Sequence, residues 1–331
     1  MENNITVKII QDSINVVGNR LTTFVLEYPR FIHSELLTHR VFSKNSASSR
    51  AIPIEKMIKM IQDNPAMPEF WGKNQSGMQA SEELDDIEKK HISSNHELEV
   101  LKYKYTDKEL AKILWLSGRD CMIKLVETLQ ELGLHKQISN RLLEPWFHIR
   151  IILSGTEFEN FFALRAHKDA QPELQKLAYL MLEEYNKSEP QILQPGEYHI
   201  PFGDKLDNDK VNKIVANKYK EDTKNNLINS YGWIDKLINE TKIKIAIARC
   251  ARVSYYNFDG KDDYEADIKL CDRLFSNNPK HLSPTEHVAQ ALDNPERIGN
   301  FTGWKQYRYF FLDQNLKDDR VKSKYESITS K

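Results

Sequence analysis

The stretch from Asp107 to about Leu134 limits the fold more than any other part of the chain. Leu110, Ile113, Leu114, Met122, Leu125 and Leu129 recur there at helical spacing, with no proline to interrupt them. At 331 residues the chain can bury a sizeable core for such a helix, as one large domain or two ordinary ones. Further helical signals surround it. "RFIHSELLTHRVF" sets Phe31, Ile32, Leu36 and Leu37 on one side, and Pro53 suits the first residue of a helix in "PIEKMIKMIQDN". A helical region from Gln137 is interrupted at Pro145, and another helix opens at Pro172. Ser154 to Glu157 and Thr156 to Glu159 form overlapping capping boxes that predict a helix start. "KIKIAIARCARVSYY" reads as a buried helix ending near Arg252, and "DDYEADIKLCDRLF" as an amphipathic one.

One strand stands out, "RLTTFVLEYPRF", β-branched and aromatic and ended by Pro29. Segments 43–52 and 65–83 read as loops, 187–230 as polar and charged with "NKSEPQILQPGEYHIPFGDKLDNDK" as the best linker candidate, and the last ten residues as a frayed tail. The expected fold class is α+β, mainly helical with a small antiparallel sheet.

Charge narrows the function classes. Charged residues make up 29% of the chain but leave a net charge of only −1, so no basic excess advertises nucleic-acid binding. Any bound anion is then small and held locally. The N-terminus has no basic segment followed by an apolar one, and no apolar run is long enough to span a membrane. Cys121, Cys250 and Cys271 form no CxxC pair, which fits a reducing cytoplasm. "HLSPTEH" lacks the HExxH spacing, so no metal site is expected; Ser283 reads as a helix start capped by Glu286, which can also receive an anionic cofactor. Cys250 reads as a buried structural thiol despite its neighbour Arg249. Neither GxGxxG nor GxxxxGK[ST] is present.

"THRVFSKNSASSR" carries the most chemistry. Asn45, Ser46, Ser48, Ser49 and Arg50 offer hydroxyls, backbone N–H groups and a guanidinium without bulk, the makings of a phosphate cradle or of a plain polar loop. "EFENFFALRAHKDAQPEL" sets Asn160 and Arg165 among aromatic residues, and Arg141 precedes Pro145 in "SNRLLEPW". On physical grounds alone these fragments amount to local anion-binding potential.

Together they resemble the flavin-dependent thymidylate synthases. The segment from His39 to Arg50 resembles that family's RHRxxS signature, "NFFALR" its second block, and "ARVSY" and "HLSPTEH" its flavin-contacting segments. The block order is circularly rearranged, since the last two follow the signature instead of preceding it, and "NSASSRAIP", "WGKNQSGMQA" and "GNFTGWKQYR" resemble a bacteriophage branch. Thr38 stands where the signature has its first arginine, Glu35 where the family often has glutamine, Ser46 where it often has an acid, and Asp169 where a histidine touches flavin.

The resemblance implies conversion of dUMP to dTMP, with methylenetetrahydrofolate as carbon donor and NADPH-reduced FAD as hydride source, and without a cysteine nucleophile. Ser48 and Arg165 would be catalytic. Ser48, Ser49, Arg50, Arg141 and Arg165 would bind dUMP, while His39, Arg40, Asn160, Ser254, Ser283 and Glu286 would bind FAD. It implies a homotetramer with active sites between subunits, acting in the cytoplasm, for that branch the cytoplasm of a phage-infected bacterium. The chain would be one composite catalytic domain: blocks at 20–185 and 241–312, peripheral elements at 186–240, a tail at 313–331. Two rivals stay open at this point, a flavin-dependent dUMP hydroxymethylase and a non-catalytic nucleotide- or flavin-binding protein.

Overall fold

The computed structural model describes residues 4–87, 89–90, 104–224, 232–255, 263–277 and 279–311. Its five principal strands are β1 (Thr6–Asn15), β2 (Arg20–Pro29), β3 (Ser43–Ser46), β4 (His148–Gly155) and β5 (Gln191–Leu193). They form one sheet in the order β3-β4-β2-β1-β5. All pairings are antiparallel except β5, which runs parallel to β1. The α-helices of seven or more residues are α1 (Ile54–Asp63), α2 (Asp107–Glu131), α3 (Glu159–Arg165), α4 (Pro172–Lys187), α5 (Asn208–Lys224), α6 (Trp233–Tyr255) and α7 (Tyr264–Ser276). The fold is α+β.

Strand alternation sends side chains to two buried faces. Phe24, Leu26 and Tyr28 of β2, with Ile149, Ile151 and Leu153 of β4, pack against Met57 and Ile61 of α1, Val126 of α2, and Leu174 and Met181 of α4. Their neighbours Val25 and Ile152 point the other way, onto Cys250 and Val253 of α6 and Phe202. The sheet therefore lies between two helical layers. Each fully buried Phe or Leu contributes about 1.5–3 kcal/mol to holding them.

α6 is buried on most sides from Ile243 to Val253, which agrees with its apolar sequence. Asp267 of α7 takes Arg249 at 3.3 Å and Arg252 at 2.7 Å. Arg249 is thereby committed, and burial pushes the Cys250 thiol well above its ordinary pKa and Cys271 up to about 12. Among the described residues no helix is long and apolar enough to cross a membrane.

Several sequence expectations change. β1 and β4 lie where no strand was expected, and β3 replaces part of the 43–52 loop. In α2 the buried positions are Leu110, Ile123 and Val126, whereas Leu125 is 50% exposed; Leu37 is also exposed. In the described part of the 187–230 stretch, up to residue 224, lie β5, a strand at Tyr198–His199 and α5. The capping boxes at 154–159 do not form. Ser154 is in β4, α3 starts without a side-chain cap, and Thr156 and Glu157 instead bind Thr302. Pro145 sits inside a 3-10 helix, Asn140–Trp146. Residues 312–331, including the expected tail, lie outside the described residues.

A second, three-stranded sheet joins β6 (Tyr198–His199), β7 (Ala289–Ala291) and β8 (Trp304–Gln306) in the order β8-β7-β6. It meets the main sheet through a fully buried chain of polar groups. His199 Nδ1 lies 3.0 Å from Ser13 Oγ and its Nε2 2.8 Å from Thr23 Oγ1; Thr23 Oγ1 lies 2.7 Å from Ser154 Oγ, and that hydroxyl 2.8 Å from His287 Nδ1. The N-terminal and C-terminal parts of the sequence are thus joined across one polar seam.

Candidate functional site

Arg165 closes α3 and reaches the segment that follows the short helix His33–Leu37. Its Nε donates to His39 Nε2 at 2.9 Å, and its Nη2 to Thr38 Oγ1 at 3.5 Å. Phe161, one helical turn earlier, meets the His39 ring edge-on with centroids 5.0 Å apart. Because His39 Nε2 accepts a hydrogen bond, the neutral ring carries its proton on Nδ1. Burial first, then the charges of Arg165 and Lys44, hold the His39 pKa down at about 4. Arg165 is therefore fixed by neutral acceptors. No carboxylate among the described residues pairs with it, so its charge stays available to a ligand.

The same segment runs on into the second half of the site. Lys44 Nζ donates to the His39 carbonyl at 2.5 Å, and burial lowers its pKa to about 8. After β3 the chain turns through a 3-10 helix at Ser49–Ala51, with Ser48 half-buried in front of it and Arg50 exposed. The Ser49 hydroxyl donates to Glu144 Oε1 at 2.7 Å, and Asn140 Nδ2 donates to the Ser49 carbonyl at 2.8 Å. Glu144 also lies 3.6 Å from Arg141 and 3.9 Å from Arg30. Ser49 and Arg141 are thus brought together through one carboxylate. Arg50 and Arg40 are exposed, with no partner among the described residues.

The remaining expected residues divide. Asn160 and Ser283 are exposed, also with no side-chain partner among the described residues. Ser254 lies in the last turn of α6, and its side chain is outside the described residues. Ser283 does not cap a helix by a box with Glu286. The segment Ser283–His287 is a short 3-10 turn without a side-chain cap, and Glu286 Oε1 instead accepts from Arg308 Nη1 at 2.6 Å. The pull of that arginine on the Glu286 carboxylate accounts for the difference.

Among the described residues no group of three or more His, Cys, Asp or Glu side chains is placed to hold a metal ion.

Glu144, Arg30 and Lys44 escaped sequence reasoning. Glu144 stands between Arg141 and Pro145, and its hub position depends on a contact with Ser49 across the fold. The 65–83 segment also gains a place. Glu173, buried at the start of α4, accepts from the Glu69 N–H at 2.6 Å, and Gln79 Nε2 donates to the Lys168 carbonyl at 3.0 Å. A cavity of about 510 Å³ opens between this loop and the chain just beyond Arg165, lined by Phe70, Gln79, Lys168, Asp169 and Gln175 among others.

A family profile described as "Thymidylate synthase complementing protein" matches residues 19–191, just over half of the chain. The chain belongs to that family. The matched region holds His39, Ser48, Ser49, Arg50, Arg141, Asn160 and Arg165, whereas Ser254, Ser283 and Glu286 lie beyond it. The Arg165–His39 and Ser49–Glu144–Arg141 contacts both lie within the matched region. No curated protein matches the sequence. Among solved structures, a UMP/dUMP methylase PolB from Streptomyces cacaoi is similar in two forms. Bound with 5-Br dUMP it aligns at a TM-score of 0.39 and 14% identity, over 56% of this chain and 91% of its own. Bound with 5-Br UMP the values are 0.40 and 15%, over 56% and 90%.

Proposed function

We propose that this member of the thymidylate synthase complementing family is a flavin-dependent thymidylate synthase. It converts dUMP to dTMP, with methylenetetrahydrofolate as carbon donor and NADPH-reduced FAD as hydride source. The observation that carries the reading is Arg165, held at 2.9 Å by a neutral His39 and left without a carboxylate partner. A guanidinium so placed pairs with the uracil carbonyl region and favours negative charge developing on the ring. Its orientation is fixed before substrate arrives, so little is lost in ordering it.

Ser48 and Arg50 bind the nucleotide phosphate. Ser49 contributes through its backbone N–H, since its hydroxyl is committed to Glu144, and Arg141 assists. When bound, the flavin supplies the hydride that completes the methyl group. His39, Arg40, Asn160, Ser254, Ser283 and Glu286 are the residues that would hold it. Buried Cys250 and Cys271, with raised thiol pKa values, are poor nucleophiles, which supports chemistry without a covalent adduct to either of them.

The protein works as one composite domain in a cytoplasmic homotetramer with active sites between subunits. The exposed, unengaged Arg40, Arg50, Asn160 and Ser283 support that assembly, because a neighbouring subunit or a ligand can complete their hydrogen bonding.

Arg50→Ala tests the phosphate assignment. Loss of one charge-assisted contact weakens dUMP binding about tenfold to a hundredfold while flavin content is retained. Spectral titration of the purified protein reads both quantities. Loss of flavin with unchanged dUMP affinity would remove Arg50 from the phosphate site. Product mass in the full assay distinguishes a methyl from a hydroxymethyl product.

A further inference from the structure

Gln306 joins two parts of the candidate site that are far apart in the chain. It is 2% exposed and ends β8. Its Nε2 donates to Ser43 Oγ at 2.8 Å and to the Glu286 carbonyl at 2.9 Å, while its Oε1 accepts from the Asn300 N–H at 3.3 Å. The partners fix the amide's orientation, because a carbonyl needs a donor and a backbone N–H needs an acceptor. Asn300 Nδ2 adds a second donor to Ser43 Oγ at 3.1 Å, so both acceptor sites of that buried hydroxyl are used.

The turn before β8 is shaped around this amide. Gly299 has φ +70°, and a Cβ there would collide with Gln306 Oε1 and come within 2.8 Å of the Tyr309 ring. Two residues beyond Gln306, Arg308 holds the Glu286 carboxylate at 2.6 Å. Gln306 thus touches the first residue of β3, the strand leading into Ser48–Arg50, and the Ser283–His287 turn.

We infer that Gln306 is a positioning residue. It sets the spacing between the nucleotide-phosphate loop and the Ser283–His287 turn, so that nucleotide and flavin are held in one site. The inference rests on the function proposed above, and Gln306 itself touches neither ligand. A side chain that only filled the core would affect stability and leave communication between the two ligands unchanged.

The test uses the full-length protein with bound flavin, titrated with dUMP and followed by the visible spectrum. Gln306→Glu keeps the shape and the acceptor for Asn300, but sets a carboxylate oxygen against the Glu286 carbonyl. The expected result is retained flavin, dUMP affinity about tenfold weaker, and a smaller flavin band shift at dUMP saturation. Ser43→Ala removes one of the contacts and moves both readouts in the same direction by less. Leu193→Ala, in the apolar cluster that includes Trp304, is the stability control and leaves the shift unchanged. Unchanged dUMP affinity and band shift in Gln306→Glu and Ser43→Ala would overturn the inference, as would an equal loss in Leu193→Ala. If Gln306→Glu does not fold, Ser43→Ala decides by the same readouts. A wild-type spectrum that ignores dUMP would instead refute the two-ligand site, and the positioning role with it.

Discussion

Replacing Arg165 with alanine abolishes most of the activity and leaves the fold standing. The guanidinium is half-buried and bonded to neutral groups, so its removal strands no buried charge. His39 Nε2 loses its donor at the edge of the site, where water can replace it. The expected stability cost is about 1 kcal/mol, a shift in Tm of a few degrees. Loss of charge-assisted contacts to the pyrimidine costs about 1.5–3 kcal/mol in dUMP binding, roughly a ten- to hundredfold weaker Kd. Charge stabilisation in the transition state is lost in addition, so kcat/KM falls about a hundred- to thousandfold further. Arg165→Lys keeps the charge but not the planar fork, and restores only part of the activity. Steady-state kinetics beside a thermal melt measure both effects. Wild-type kinetics in Arg165→Ala would place the site elsewhere.

The second large effect is acid sensitivity. His199 and His287 are fully buried, and burial holds both pKa values down at about 3. In the unfolded chain a histidine titrates near pH 6.5. Above that value both states are neutral and the full stability is present. Between pH 6.5 and 3 the unfolded state binds protons that the folded state refuses, so stability falls as pH falls. At pH 5 each of the two costs about 2 kcal/mol, together about 4 kcal/mol, a large share of an ordinary protein's stability. His33 and His39, each lowered to about 4, add in the same direction.

Unfolding free energies from urea titrations at pH 7 and pH 5 are expected to differ by at least about 4 kcal/mol. His287→Asn, which cannot titrate, reduces the dependence by about 2 kcal/mol. Equal midpoints in the wild type would show that the seam from Ser13 to His287 accommodates charge.

Local signals carried further in the sequence than distant ones. Pro29 ends β2 and Pro172 opens α4 as expected, because each effect is confined to a residue and its neighbours. β4 escaped notice because it is buried on both faces: in "HIRIILSG" Ile151, Ile152 and Leu153 follow one another, breaking the alternation that marks a half-exposed strand. Periodicity located α2 but not which side of it is covered. Leu114 and Leu125 are on the exposed side, and only the packing of Trp146 and α1 decides that.

The capping boxes at 154–159 are sound local chemistry overridden by tertiary partners, with Thr156 and Glu157 bound to Thr302 more than a hundred residues on. In the site, His39, Ser48, Arg50 and Arg165 were legible as residue types suited to an anion. Their grouping was not, because Ser49 meets Glu144 across 95 positions of sequence and Ser43 meets Gln306 across 263. The seam and the Gln306 contacts bring the C-terminal segments to β3 and β4.

The central claim is that nucleotide and flavin share one site built on Arg165, His39 and the Ser48–Arg50 loop. Its most direct test is the visible spectrum of the purified full-length protein before and after dUMP is added. The expected result is a flavin spectrum whose bands shift saturably with dUMP, and a shift that disappears in Arg165→Ala. A protein that neither carries flavin nor takes up added FAD, or whose flavin spectrum ignores dUMP, would contradict it.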